Sequence, residues 1–281
     1  MRPASRRAGP PAATGASRRK DARLELAELY ERAVNHHSEF IQEPWIVPKS
    51  IPILYFGDLE GYRNSELKIV TVGLNPSHAE FAEDRFRVSG LTKCQLEESL
   101  CQYFKFRPYN RWFDQAFEKR LLQPLGASYY GQHYPGAIPS WWYPQSNIVL
   151  HTDIGTPLAT KPTWSKLPNR TKKRLQATGF PLWRDLIHRI APDLILISVA
   201  QEHLRLLDIF WHQLRFDGAS PDRLDFRVSK FGGSKIIWGK ANRRPFFYVS
   251  SEHRPLIAAA ILRELQVHGR YPRRSIPSSW A

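Results

Sequence analysis

Five short runs of apolar, mostly β-branched or aromatic residues constrain this chain most: Lys68–Val72, Asn147–His151, Asp193–Val199, Lys235–Trp238 and Pro245–Ser250. They are continuous, not alternating. A strand with one wet face alternates apolar and polar side chains, so continuous runs belong to a sheet covered on both faces. Stretches of helical patterning lie near residues 111–122, 180–191, 200–214 and 255–267, and an earlier one begins around Arg23 in RLELAELYERAVNHHSEF. Strands alternating with helices predict an α/β fold, a three-layer αβα arrangement around a central, mostly parallel four-stranded sheet. No Gly/Ser-rich linker divides the chain. One domain is expected over residues 23–268, between a basic arm without structure at 1–22 and a basic tail at 269–281.

Charge narrows the class of partner. The 281 residues carry 41 Lys and Arg against 26 Asp and Glu, a net +15. A surplus of that size points to a polyanion, most often nucleic acid. Two cysteines, Cys94 and Cys101, are too few for a thiolate cluster or a Cys-only zinc site, and they do not read as a secreted disulfide framework. No apolar run approaches the length of a membrane helix, and the first residues lack the apolar core of a secretory leader. The expectation is a cytoplasmic or nucleoid-associated bacterial protein, not secreted, acting as a monomer on DNA without membrane, metal or cofactor.

In an open parallel sheet, chemistry gathers where the strands end. The loop after the first run reads Gly73-Leu74-Asn75-Pro76-Ser77. Gly lets the chain turn sharply and Pro fixes its course, so Asn75 would be held rigidly at the sheet edge. Taken alone, the string also fits a plain turn in which Asn adopts an unusual backbone angle. GLNPS resembles the first motif, GxNPG, of the mismatch-specific and single-strand-selective branches of the uracil-DNA glycosylase superfamily, with Ser77 in place of the last Gly. Tyr109-Asn110-Arg111-Trp112-Phe113 is similar to the string that follows that motif. IVLHTD, then TPL, holds the place of the second strand, and FFYVS followed by SEHRP the place of the histidine-containing second motif. The resemblance runs from about residue 65 to about 265.

The resemblance implies hydrolysis of the N-glycosidic bond of a flipped nucleotide, leaving an abasic site. Without a Lys in the first motif, no strand cleavage is expected. Asn75 would orient the attacking water, with Gly73 and Leu74 lining the base pocket. Phe86, eleven residues beyond Asn75, would stack on the base, Phe81 being the alternative; either could equally be core. Asp153 falls where the family has a base-reading Asn, or Thr152 if the register slips by one. An Asn amide both donates and accepts, whereas an ionised carboxylate only accepts. Asp153 would therefore favour the amino group of a cytosine-type base over uracil, unless it simply caps a loop or pairs with an Arg. His253 would stabilise the departing base, although Ser250 and Ser251 also follow the last strand and Ser251 could serve as a helix cap. Lys166, Arg170, Lys172, Lys173 and Arg254 would contact phosphates.

The segment 103–143 holds 13 of the 35 aromatic residues, either packed or forming a wall for a base bulkier than uracil. Such a substrate would mean antiviral defence against modified DNA, whereas uracil would mean DNA repair. A non-catalytic DNA-binding protein on the same scaffold is the alternative. A Rossmann-like nucleotide enzyme is disfavoured, because GLNPS lacks a glycine-rich phosphate loop.

Overall fold

The run beginning at Ile69 is buried at every position, as a strand covered on both faces must be. A computed structural model describes residues 15–81, 98–106, 113–131, 147–216, 224–241, 244–245, 250 and 253–266. Its strands are β1 (Ile69–Gly73), β2 (Ala127–Ser128), β3 (Asn147–Asp153), β4 (Leu194–Ile197), β5 (His212–Gln213), β6 (Leu224–Phe231), β7 (Ser234–Ala241) and β8 (Arg244–Pro245). Seven form one path in the order β2-β3-β1-β4-β7-β6-β5, and β8 pairs with the end of β7. From β2 to β7 the neighbours run parallel; β5, β6 and β8 are antiparallel additions. The α/β class therefore holds, but the sheet is larger than the four strands expected.

The difference has a physical origin. β6 reads LDFRVSKF and buries Leu224, Phe226 and Val228 while Asp225 and Arg227 stay half-exposed. It is an edge-region strand with alternating character, and a search for continuous apolar runs passes over it. Its hairpin with β7 turns at Gly232-Gly233, where Gly232 takes a positive φ of 58°. Of the run expected at Pro245–Ser250, residues 246–249 lie outside the described residues; Arg244–Pro245 pairs antiparallel with β7, and Ser250 is in no strand. The stretch expected to be helical at 200–214 is a short 3₁₀ segment, Gln201–Leu207, followed by β5.

The α-helices given in full by the described residues are α1 (Gly15–Phe40), α2 (Leu59–Arg63), α3 (Asn169–Ile190) and α4 (His253–Gln266). A wide, π-type helical segment covers Asp114–Leu122. α1 begins at Gly15, inside the arm expected to lack structure. α3 begins eleven residues earlier than its sequence pattern implied. α1 lies against α3, joined by Arg32–Asp185 at 2.8 Å and Arg189–Glu28 at 2.6 Å. Among the described residues, no helix is long and apolar enough to cross a membrane.

Side chains alternate across a strand, which assigns the two faces of the centre. Thr152 accepts a hydrogen bond from Trp183 Nε1 of α3 at 2.9 Å, so one face looks toward α3. Thr71, Gly73, His151 and Asp153 lie on the other, in register as Thr71↔His151 and Gly73↔Asp153. That face is closed over His151 by Phe56, Phe113 and Phe117. Strands continue from β1 to both sides, to β3 and to β4. The end of β1 is thus a topological switch point, where such sheets open a crevice.

Candidate active site

Two loops meet beyond that switch point. Ile154 N–H donates to Gly73 O at 3.0 Å and Gly155 N–H to Leu74 O at 2.8 Å. The loop after β1 is therefore clamped to the loop after β3, and Asn75 is held by both. Its Nδ2 donates to Pro76 O at 3.1 Å, Leu158 O at 3.4 Å and Thr160 Oγ1 at 3.1 Å. Two backbone carbonyls on one side fix which end of the amide is nitrogen. Oδ1 has no hydrogen-bond partner among the described residues and is not sealed from solvent. The half-buried side chain thus presents a rigid, unoccupied acceptor at the end of β1.

The 156–160 loop that anchors Asn75 is itself anchored. Val47 N–H donates to Ala159 O at 3.2 Å and Ile53 N–H to Pro157 O at 2.9 Å. His36 Nε2 of α1 lies 3.1 Å from Thr156 Oγ1. Burial, and then the neighbouring His37, pushes the His36 imidazole down to about 4, so it stays neutral at ordinary pH. On the far side, Gly179 of α3 touches this loop so closely that a Cβ there would lie 2.3 Å from Gly155 O and 2.6 Å from Thr156 Cα.

Asp153 ends β3 opposite Gly73. A Cβ on residue 73 would sit 2.6 Å from Asp153 Oδ1 and 3.2 Å from His151 Nε2, so glycine is what lets the two side chains close over the strand. The Asp153 side chain is 4% exposed, and its nearest charged or chargeable partner is His151, Nε2 to Oδ1 at 3.7 Å. No Arg or Lys pairs with it among the described residues. His151 Nδ1 lies 2.9 Å from Thr71 Oγ1, and Thr71 Oγ1 lies 2.6 Å from the Tyr129 hydroxyl. The Tyr103 hydroxyl donates to Glu80, and burial together with that carboxylate holds the phenol far above its ordinary range.

The expected site residues divide accordingly. Gly73, Leu74, Asn75 and Asp153 come together at the ends of β1 and β3. Thr152 faces α3 and is no alternative to Asp153. Phe81, the second choice for stacking, is half-buried against the main core. Phe86 and Ser251 lie outside the described residues. Ser250 Oγ is 2.8 Å from His253 Nδ1, at the first turn of α4. Arg254 is half-buried beside it. Lys166, Arg170 and Lys173 are exposed and Lys172 half-exposed, but from Asn169 onward they ride on the start of α3, where a loop was expected. Arg174, from the same run, is tied back to Glu43 at 2.9 Å and lies over the Phe40 ring.

Sequence reasoning passed over His151, Thr71 and Tyr129. The available signal was the H-x-D spacing, which puts both side chains on one face of any strand. Neither a protein-family model nor a curated protein matches this chain. Two open grooves flank the exposed Phe210 at the β5–β6 edge, and neither is lined by residues from the ends of β1 or β3.

Proposed function

We propose that the protein is a monofunctional DNA glycosylase that hydrolyses the N-glycosidic bond of a flipped uracil or modified pyrimidine, cytosine-type bases being favoured. The observation that carries this reading is Asn75: an amide locked through Nδ2, with Oδ1 left to accept a proton from water. An amide is a feeble base, but a glycosidic bond that breaks early needs only a positioned nucleophile. The buried carboxyl of Asp153, which no donor reaches at hydrogen-bond distance among the described residues, supplies an acceptor for an exocyclic amine. A mostly parallel sheet with a topological switch point at the end of β1 is consistent with the three-layer arrangement this chemistry would use.

DNA as partner draws on α3. Its N-cap, Pro168, offers no side-chain cap, and its first turn has no acidic residue. Arg170, Lys172 and Lys173 sit there instead. Cations at a helix N-terminus oppose the macrodipole, and a bound phosphate relieves that opposition.

The test is incubation with a panel of duplex and single-stranded oligonucleotides carrying uracil, cytosine and 5-substituted cytosines, followed by hot alkali. Alkali-labile sites at one base class are expected. DNA binding without such sites on any member would leave the non-catalytic reading in place.

A further inference from the structure

Asp153 poses an electrostatic problem that points to its neighbour. A carboxylate removed from water is costly to bury unless a cation or donors compensate it. Its side chain is 4% exposed, and among the described residues no donor lies within hydrogen-bond distance. His151 Nε2 stands 3.7 Å away. The imidazole is set in place from behind: Nδ1 meets Thr71 Oγ1 at 2.9 Å, and Thr71 Oγ1 meets the Tyr129 hydroxyl at 2.6 Å. Phe113 packs edge-on against the ring, with centroids 4.8 Å apart. Among the described residues, titratable side chains near the pair include Tyr129, with Glu118, Tyr130 and Asp114 beyond it, and Tyr103 and Glu80, which are hydrogen-bonded to each other.

We propose that His151 and Asp153 form a proton-sharing pair that binds an amino-pyrimidine as its N3-protonated form and supplies the proton that lets the base depart neutral. The inference rests on the base-excision reading for its substrate class and adds His151 to it. A carboxylate matches two parallel N–H donors in a fork. Cytosine protonated at N3 offers that fork through N3–H and the N4 amine. Uracil offers one N–H between two carbonyl oxygens, which would face the carboxylate unpaired. Gly73, lacking a Cβ, leaves the space that Asp153 Oδ1 occupies at the strand end.

The step balances. The shared proton passes to N3, the C1′–N1 bond breaks, and its electron pair moves onto N1. The water oxygen bonds to C1′, and the proton that water loses restores the pair. Asp153 touches the base; His151 acts through Asp153 and is a positioning and proton-holding residue.

Isothermal titration calorimetry with free cytosine and free uracil, in buffers of differing ionisation heat, tests this. Wild-type protein is expected to bind cytosine with no net proton uptake, because the pair supplies the proton. His151→Gln is expected to draw about one proton from buffer per cytosine bound and to bind at least about tenfold more weakly, the loss of one charge-assisted interaction. A merely structural role for His151 would leave the proton count unchanged. If His151→Gln does not fold, Asp153→Asn carries the test: cytosine binding should fall at least about tenfold and uracil binding should exceed it. Equal proton counts in wild type and His151→Gln, uracil binding as tight as cytosine binding in the wild type, or no cytosine binding would each overturn the proposal. Base release from DNA is scored separately. The expected proton counts without abasic product keep the pair and remove the glycosylase reading; abasic product with equal counts does the reverse.

Discussion

Glu118 is fully buried, accepting from Ser128 Oγ at 2.7 Å and from Tyr129 N–H at 3.0 Å. Burial outweighs those bonds and pushes its carboxyl up from 4.5 to about 7. The folded state thus holds this proton more tightly than the unfolded chain does. Its contribution is complete below about pH 4.5 and is lost as pH rises toward about 7, by up to about 3 kcal/mol. His36 acts with the opposite sign: held down to about 4, it costs stability as pH falls from 6.5. The two effects overlap and partly cancel. Glu118→Gln removes the first and exposes the second, so urea unfolding should show the variant losing more stability than wild type between pH 7 and pH 5. Parallel pH dependences in the two proteins would contradict this assignment. Gly73 is the other residue on which the site turns. Gly73→Ala should disturb Asp153, whose Oδ1 would lie 2.6 Å from the new carbon, and cost about 1–3 kcal/mol of overpacking, read as a lower unfolding midpoint and loss of base release.

At the level of elements, the parallel centre was legible because its strands are short, continuous and apolar. β1, β3 and β4 fall within a few residues of their expected places. α3 was legible only in its second half. Gly179 and Pro181 both disfavour a helix interior, so the pattern read as a helix starting at residue 180. The structure shows why a glycine stands there: α3 rests directly on the backbone of Gly155 and Thr156. Backbone cannot withdraw as a flexible side chain can. Gly179→Ala is therefore expected to destabilise by about 1–3 kcal/mol, despite the better helix propensity of Ala. Because this contact braces the loop that anchors Asn75, catalysis should fall with it. Thermal melting checks the first effect; an unchanged or raised midpoint would refute it. Of the site, Asn75 and Asp153 could be read from the sequence because one stands in the loop just after β1 and the other ends β3. The His151 network could not, because it depends on Tyr129, 22 residues distant along the chain from His151, reaching Thr71 across the sheet face.

For the whole molecule, the proposed DNA binding by a chain of net charge +15 should weaken steeply with salt, since each phosphate contact releases counterion. Replacing Arg170, Lys172 and Lys173 together by Ala should flatten the plot of log affinity against log salt by about 0.7–0.9 per contact removed, equally for all sequences. An unchanged slope would place the phosphate contacts elsewhere. The account as a whole turns on the amide at the end of β1. Single-turnover base release by Asn75→Ala, measured beside its DNA affinity, addresses it most directly. The rate should fall on the order of 100- to 1,000-fold while affinity stays within a few-fold of wild type; a variant releasing base at the wild-type rate would contradict the assignment.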